Sequence, residues 1–141
     1  MKTTDNEKFE NFIFHLDEIV QNFIKRINSK GYDIDFEKNS IEKFEKYILE
    51  NNIKVEDNDY YDGACYLGEL FRHIYGGNWI LDTNKKSIFF NKPVIDYGSE
   101  SGVLFSSFNA LRAIIIKQQS GTLEKIIESN TNPKKIDINF K

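Results

Sequence analysis

Cysteine is almost absent from this 141-residue chain: Cys65 stands alone, so no intramolecular disulfide can form and a reducing compartment suits the sequence. Proline occurs only at positions 93 and 133, and no proline-rich or low-complexity linker divides the chain. Basic charge is not in excess. Lys and Arg number 19 against 22 Asp and Glu, a net charge of −3, which argues against a general phosphate-binding surface and against nucleic-acid binding. No apolar run reaches the roughly 18 residues needed to span a bilayer. The tightest cluster is Ala-Ile-Ile-Ile at 113–116. The residues after Met1 are polar, with no apolar core behind a basic start, so no signal peptide is expected. These deficits point to a soluble, cytoplasmic protein.

Core-forming material, by contrast, is plentiful: 12 Phe, 7 Tyr and 40% apolar residues, enough for one domain over 1–141. Residues 6–29 place Phe9, Phe12, Ile13, Leu16, Ile19, Val20, Phe23 and Ile27 at three- and four-residue steps, with acids early and Lys25 and Arg26 late, as an amphipathic helix requires. A second helix follows Ser40, with Ile41, Phe44, Tyr47 and Ile48 inward, and stops at Asn51-Asn52. A third runs from Asp57–Asp59 to Gly76-Gly77. The period then changes. The strand formers of 78–82 and 87–90, joined by the polar run 83–86, read as a hairpin whose second strand Pro93 ends or places at a sheet edge. A fourth helix is expected over 103–118, a fifth capped by Thr122 to about residue 129, and a third strand over 135–140, where Ile136, Ile138 and Phe140 alternate. The expected class is α+β: about five helices packed with a short antiparallel hairpin and a C-terminal third strand.

The densest stretch is 63–79, GACYLGELFRHIYGGNW. Gly63 and Gly68 have the spacing of a phosphate-binding loop, but Glu69-Leu70 stands where Lys and Ser or Thr are required, and a carboxylate there repels phosphate. Glu69 and His73, four apart, share a helix face with Asp62, yet zinc wants a further soft ligand and Cys65 lies off that face. The calcium-loop pattern begun by Asp57 and Asp59 fails at Tyr61 and Gly68. Cys65 and His73 are eight residues apart, about 12 Å along a helix, too far for a direct hydrogen bond. No catalytic group, metal or cofactor is therefore assigned.

The same segment reads more fully as a central helix. Ala64, Cys65, Leu67, Leu70, Phe71, Ile74 and Tyr75 wrap most of the way round it. Gly63 and Gly68 each cost about 1 kcal/mol in a helix unless a neighbouring element must come close. Glu69 is expected to be inaccessible and to draw partners from Arg72, His73, the Trp79 indole or Arg112, since a buried charge persists only when paired. His15, interrupting the first helix beside Phe14, is expected to be partly buried and hydrogen-bonded.

Tyr66-Leu67-Gly68-Glu69-Leu70, then Arg72, Gly76-Gly77-x-Trp79 and a hairpin ending near Pro93, together resemble small bacterial domains of unassigned function, several of which look like immunity proteins encoded beside polymorphic or contact-delivered toxins. The likeness covers residues 60 to 115. It implies a cytoplasmic binding protein that neutralises a cognate toxin by occluding its active site, with the motif residues serving the fold. The residues fitted to such contact are Glu56, Asp57, Asp59, Tyr60, Tyr61 and Asp62: Tyr gives large contact area at low entropy cost, and acids steer a basic, nuclease-like partner. Acids at a helix N-terminus also follow from the macrodipole alone. A small enzyme or ligand-binding domain using Glu69, Arg72 and His73 is the alternative, and a structural adaptor a third.

Overall fold

A computed structural model describes residues 4–98 and 102–131. Helix α1 spans Asp5–Asn28. Thr4 caps it, its side chain accepting the Glu7 N–H at 3.1 Å, and the buried stripe is Phe12, Leu16, Val20, Phe23 and Ile27. Each such side chain taken from water contributes about 1.5–3 kcal/mol, which explains why a helix with so polar an outer half holds its place. α2 (Ser40–Glu50) turns Ile41, Phe44, Tyr47 and Ile48 inward. α3 (Asn58–Tyr75) lies at the centre, between α1 and α4 (Ser107–Lys117), with residues 63–68, Leu70 and Phe71 all buried. α5 (Thr122–Thr131) rests on α2 and α4. The class is α+β.

The two helical glycines are places of close approach. A Cβ at Gly63 would stand 3.3 Å from Phe44 of α2, and one at Gly68 only 2.2 Å from the Trp79 ring. α3 ends at Gly76-Gly77, both at positive φ, and at Gly77 a side chain would strike the Asp96 carbonyl at 2.7 Å. That tight exit launches β1 (Asn78–Leu81), which pairs antiparallel with β2 (Pro93–Asp96): Trp79 faces Ile95 and Ile80 faces Val94. On its other side Ile95 exchanges both backbone hydrogen bonds with Phe105.

The second strand is therefore not 87–90. Asp82, Asn84 and Ser87 capture the backbone N–H two residues on, at 3.0 Å each, and fold 82–92 into consecutive turns. Such side-chain bonds compete directly with a strand ladder. Ile88 is 78% exposed there, whereas Val94 and Ile95 are fully buried, so the core selects the later segment. Pro93 opens the strand instead of closing it, a position that needs no N–H. α4 likewise starts later than expected, because Phe105 is held by Ile95 and Ser106 caps the helix by accepting the Asn109 N–H. Thr122 does not cap α5: its hydroxyl donates to the Gln119 carbonyl, and the buried carboxylate of Glu45 in α2 takes the Gly121 and Leu123 N–H groups. The expected strand at 135–140 lies outside the described residues.

Candidate functional site

The acidic-tyrosine segment divides between structural and exposed roles. Asp59 accepts from the Arg26 guanidinium at 2.5 Å through one oxygen and from the Tyr47 hydroxyl at 2.5 Å through the other. Asp62 takes a second, longer bond from Arg26 at 3.3 Å. These two acids thus tie α3 to α1 and α2, sharing one guanidinium between them. Tyr60 is half-buried and donates to the Phe108 carbonyl at 3.0 Å. Glu56 and Asp57 stay exposed, Asp57 closing a local turn by accepting the Lys54 N–H. Tyr61 is 42% exposed.

Tyr60 and Tyr61 open onto a groove of about 380 Å³ between the start of α1, the start of α3, β2 and α4. Its walls are aromatic. Phe12 and Tyr61 meet edge to face at 6.4 Å, Tyr61 and Phe108 lie 5.7 Å apart, and Phe9 stacks behind Phe12. Asn91 donates to Asp5 at 2.7 Å across one end. Lys8 and Lys92 stand at the rim, with no ion pair among the described residues. An aromatic recess with a few amides and ammonium groups around it suits an uncharged aromatic or aliphatic side chain, buried against ring faces and edges.

The second expected cluster does not converge. Glu69 pairs with Arg72 alone, at 2.7 Å, and Arg72 also donates to the Gly77 carbonyl. The Glu69 side chain keeps 16% of its exposure and that of Arg72 keeps 32%, so the carboxylate is mostly covered but not sealed in. The expected arginine partner is found, and the expected complete burial is not. His73 is exposed and stacks on Phe36 at 4.1 Å. Trp79 turns to Gly68 and Phe12, its indole N–H without a partner among the described residues. Arg112 is exposed on α4. His15, too, is exposed, its ring edge-on to Phe14 and without a hydrogen bond among the described residues. Among the described residues no group of three His, Cys, Asp or Glu side chains is placed to hold a metal ion.

Cys65 is fully buried, and burial pushes its thiol up to about 12. Burial also raises the phenols of Tyr47 and Tyr66, each completely enclosed. The sign follows directly. In the unfolded chain these groups ionise first, near 8.5 for Cys and 10 for Tyr, so the folded state holds more protons above those values and stability falls as pH rises. Denaturant midpoints should be flat up to about pH 8 and drop progressively beyond pH 9. Native protein at pH 8 should resist thiol reagents that label it at once in urea. A midpoint unchanged to pH 11, or fast native labelling, would contradict this burial.

Phe9 and Phe12 belong by periodicity to the core stripe of α1, but that stripe outruns its cover at the first turns, where Phe9 is only half-buried. Phe108 and Asn91 carried no signal before the fold brought them to Tyr61. Comparison with protein-family models, with curated proteins and with solved structures finds no match.

Proposed function

We propose that this chain is a cytoplasmic binding protein of the immunity type, which neutralises a cognate bacterial toxin by covering its active site. The observation that carries the reading is the open aromatic groove beside exposed Tyr61, at the segment singled out for partner contact. Hot spots of protein recognition are aromatic anchors in apolar recesses, ringed by polar groups. Here the groove receives an apolar side chain from the partner, and the exposed Glu56 and Asp57 on the adjoining loop attract a basic, nuclease-like domain. Asp59 and Asp62 act behind this surface by fixing α3, and Tyr60, though it lines the groove, is tied to the Phe108 carbonyl, so all three are unsuitable positions for testing it.

The test is co-expression with the toxin domain encoded in the neighbouring reading frame. Wild-type chain should rescue growth and co-purify as a stable complex. The Glu56→Lys/Tyr61→Ala variant should keep its circular dichroism and lose at least tenfold in affinity. Absence of rescue by the wild-type chain would end the immunity reading; full affinity in the variant would end the assignment of this surface.

A further inference from the structure

α1 is 24 residues long, and the fold uses one side of it. On the other side Phe14 is 80% exposed, and Ile13, expected in the inward stripe, is turned off it and 40% exposed. At about 100° per residue, Glu7, Glu10, Asp17 and Glu18 all project within roughly 60° of Phe14. All four are exposed, and none is in an ion pair among the described residues. Lys25, eleven residues beyond Phe14, is the nearest cation in line with it on the same face. The helix dipole accounts for an acid at Glu7 but offers nothing to Asp17 or Glu18 in mid-helix. Phe14 is backed by the His15 ring, edge-on at 5.0 Å and 86°, which limits where the phenyl group can turn. A single exposed Phe is unremarkable in itself. A Phe standing out from four carboxylates that meet no cation among the described residues, and of which only Glu7 is otherwise engaged there, by the Thr4 hydroxyl, is a knob with a charged collar.

We propose that this face docks onto a protein surface carrying Lys and Arg around an apolar recess, with Phe14 entering the recess and the four carboxylates meeting the cations. The occupant follows from charge complementarity: an acidic rim repels acidic surfaces and speeds encounter with basic ones, while the exposed ring supplies the contact that water exclusion rewards. The face points away from the aromatic groove, which is bounded by Asp5, Lys8, Phe9 and Phe12 on the inner side of the same helix. It is thus a second contact area. It goes beyond the immunity reading, and rests on that reading only for the partner's identity.

The experiment uses the whole chain, labelled with ¹⁵N, and a probe that does not depend on the partner being known: a 20-residue helical peptide with Leu on one face and Lys on the flanks. The amide signals of residues 10–18 should shift on titration. Affinity should fall steeply with salt. Phe14→Ala should weaken binding about tenfold, and Glu10→Lys/Asp17→Lys should abolish it, while Glu124→Lys on α5 changes it less than twofold. Equal binding by the Phe14 variant, or shifts confined to other helices, overturns the proposal. The same variants are then assayed with the toxin domain. Peptide binding retained without rescue by the wild-type chain ends the immunity reading and leaves the face standing. Rescue and complex formation unaffected by both α1 variants end the face as a toxin contact and leave the immunity reading standing.

Discussion

Replacing Gly68 by alanine is expected to destabilise the protein by about 2–3 kcal/mol, although alanine is the better helix former. Propensity alone would give a gain of about 1 kcal/mol. Against it stands a methyl group 2.2 and 2.3 Å from two ring carbons of Trp79, with the Ser107 hydroxyl at 3.2 Å. The ring must retreat by more than 1 Å to restore van der Waals distance, and it has little freedom to do so. β1 holds Trp79 opposite Ile95, and Phe12 packs against the indole at 5.0 Å and 71°. Forcing volume into such a core costs about 1–3 kcal/mol, more when the obstacle is a ring and not a flexible chain end. Urea unfolding measures the loss, and Trp79, the only tryptophan, reports the displacement through its fluorescence. Trp79→Leu should destabilise less in the Gly68→Ala background than alone, with a coupling above 1 kcal/mol. A Gly68→Ala protein more stable than the parent would mean that Trp79 is not seated on this glycine.

That contact was legible in the sequence in outline. Two glycines inside an apolar helix implied close neighbours, and Gly-Gly-x-Trp implied a sharp turn into a strand; what periodicity could not give was that the same tryptophan closes back on the same helix. The five helices were readable because their buried faces repeat every three or four residues, over about six turns in α1 and about three in α2, α4 and α5. The hairpin was readable in kind but its register was not. Residues 87–90 and 93–96 are both short and apolar, and the decision between them lay in Asp82, Asn84 and Ser87, whose side chains take backbone N–H groups that a strand would need. Local composition favours the first segment, and the core accepts the second.

The candidate site was only half legible, for a reason that the pairing of charges makes plain. Six residues between 56 and 62 looked alike as acids and tyrosines. Arg26, more than thirty positions away, ties Asp59 and Asp62 to α1, and the Phe108 carbonyl engages the Tyr60 hydroxyl. Nothing in the local sequence marks which acid will find a distant guanidinium. The groove itself is assembled from four elements, so its walls could not be seen together in any one of them. The Glu69 cluster erred in the opposite direction: residues adjacent on one helix were expected to converge, but His73 leans on Phe36 and Trp79 passes to the glycine face.

Glu45 is the residue whose importance was readable yet unread, and its removal should cost about 3 kcal/mol. It lies four after Ile41 and three before Ile48, on the apolar face of α2, and is 5% exposed. One carboxylate oxygen accepts the Gly121 N–H at 2.7 Å and the other the Leu123 N–H at 2.8 Å. No lysine or arginine pairs with it among the described residues. Its charge is met by the free N–H groups and positive dipole end of α5, a cap supplied from another helix. Glu45→Ala strands two donors, Leu123 fully buried, at about 1–3 kcal/mol each, with partial relief where water reaches Gly121. Glu45→Gln keeps the shape and one acceptor oxygen, so it should cost about half as much. The loss is local before it is global. α5 is held otherwise by Leu123, Ile127 and their contacts with α2 and α4, so uncapping should let it open while α3 stays closed. Amide exchange at Gly121, Leu123 and the following turn should therefore quicken more than at Tyr66 or Leu67. Equal acceleration in both helices would make Glu45 a general core residue, and a cost below about 0.5 kcal/mol would show that α5 does not depend on this cap.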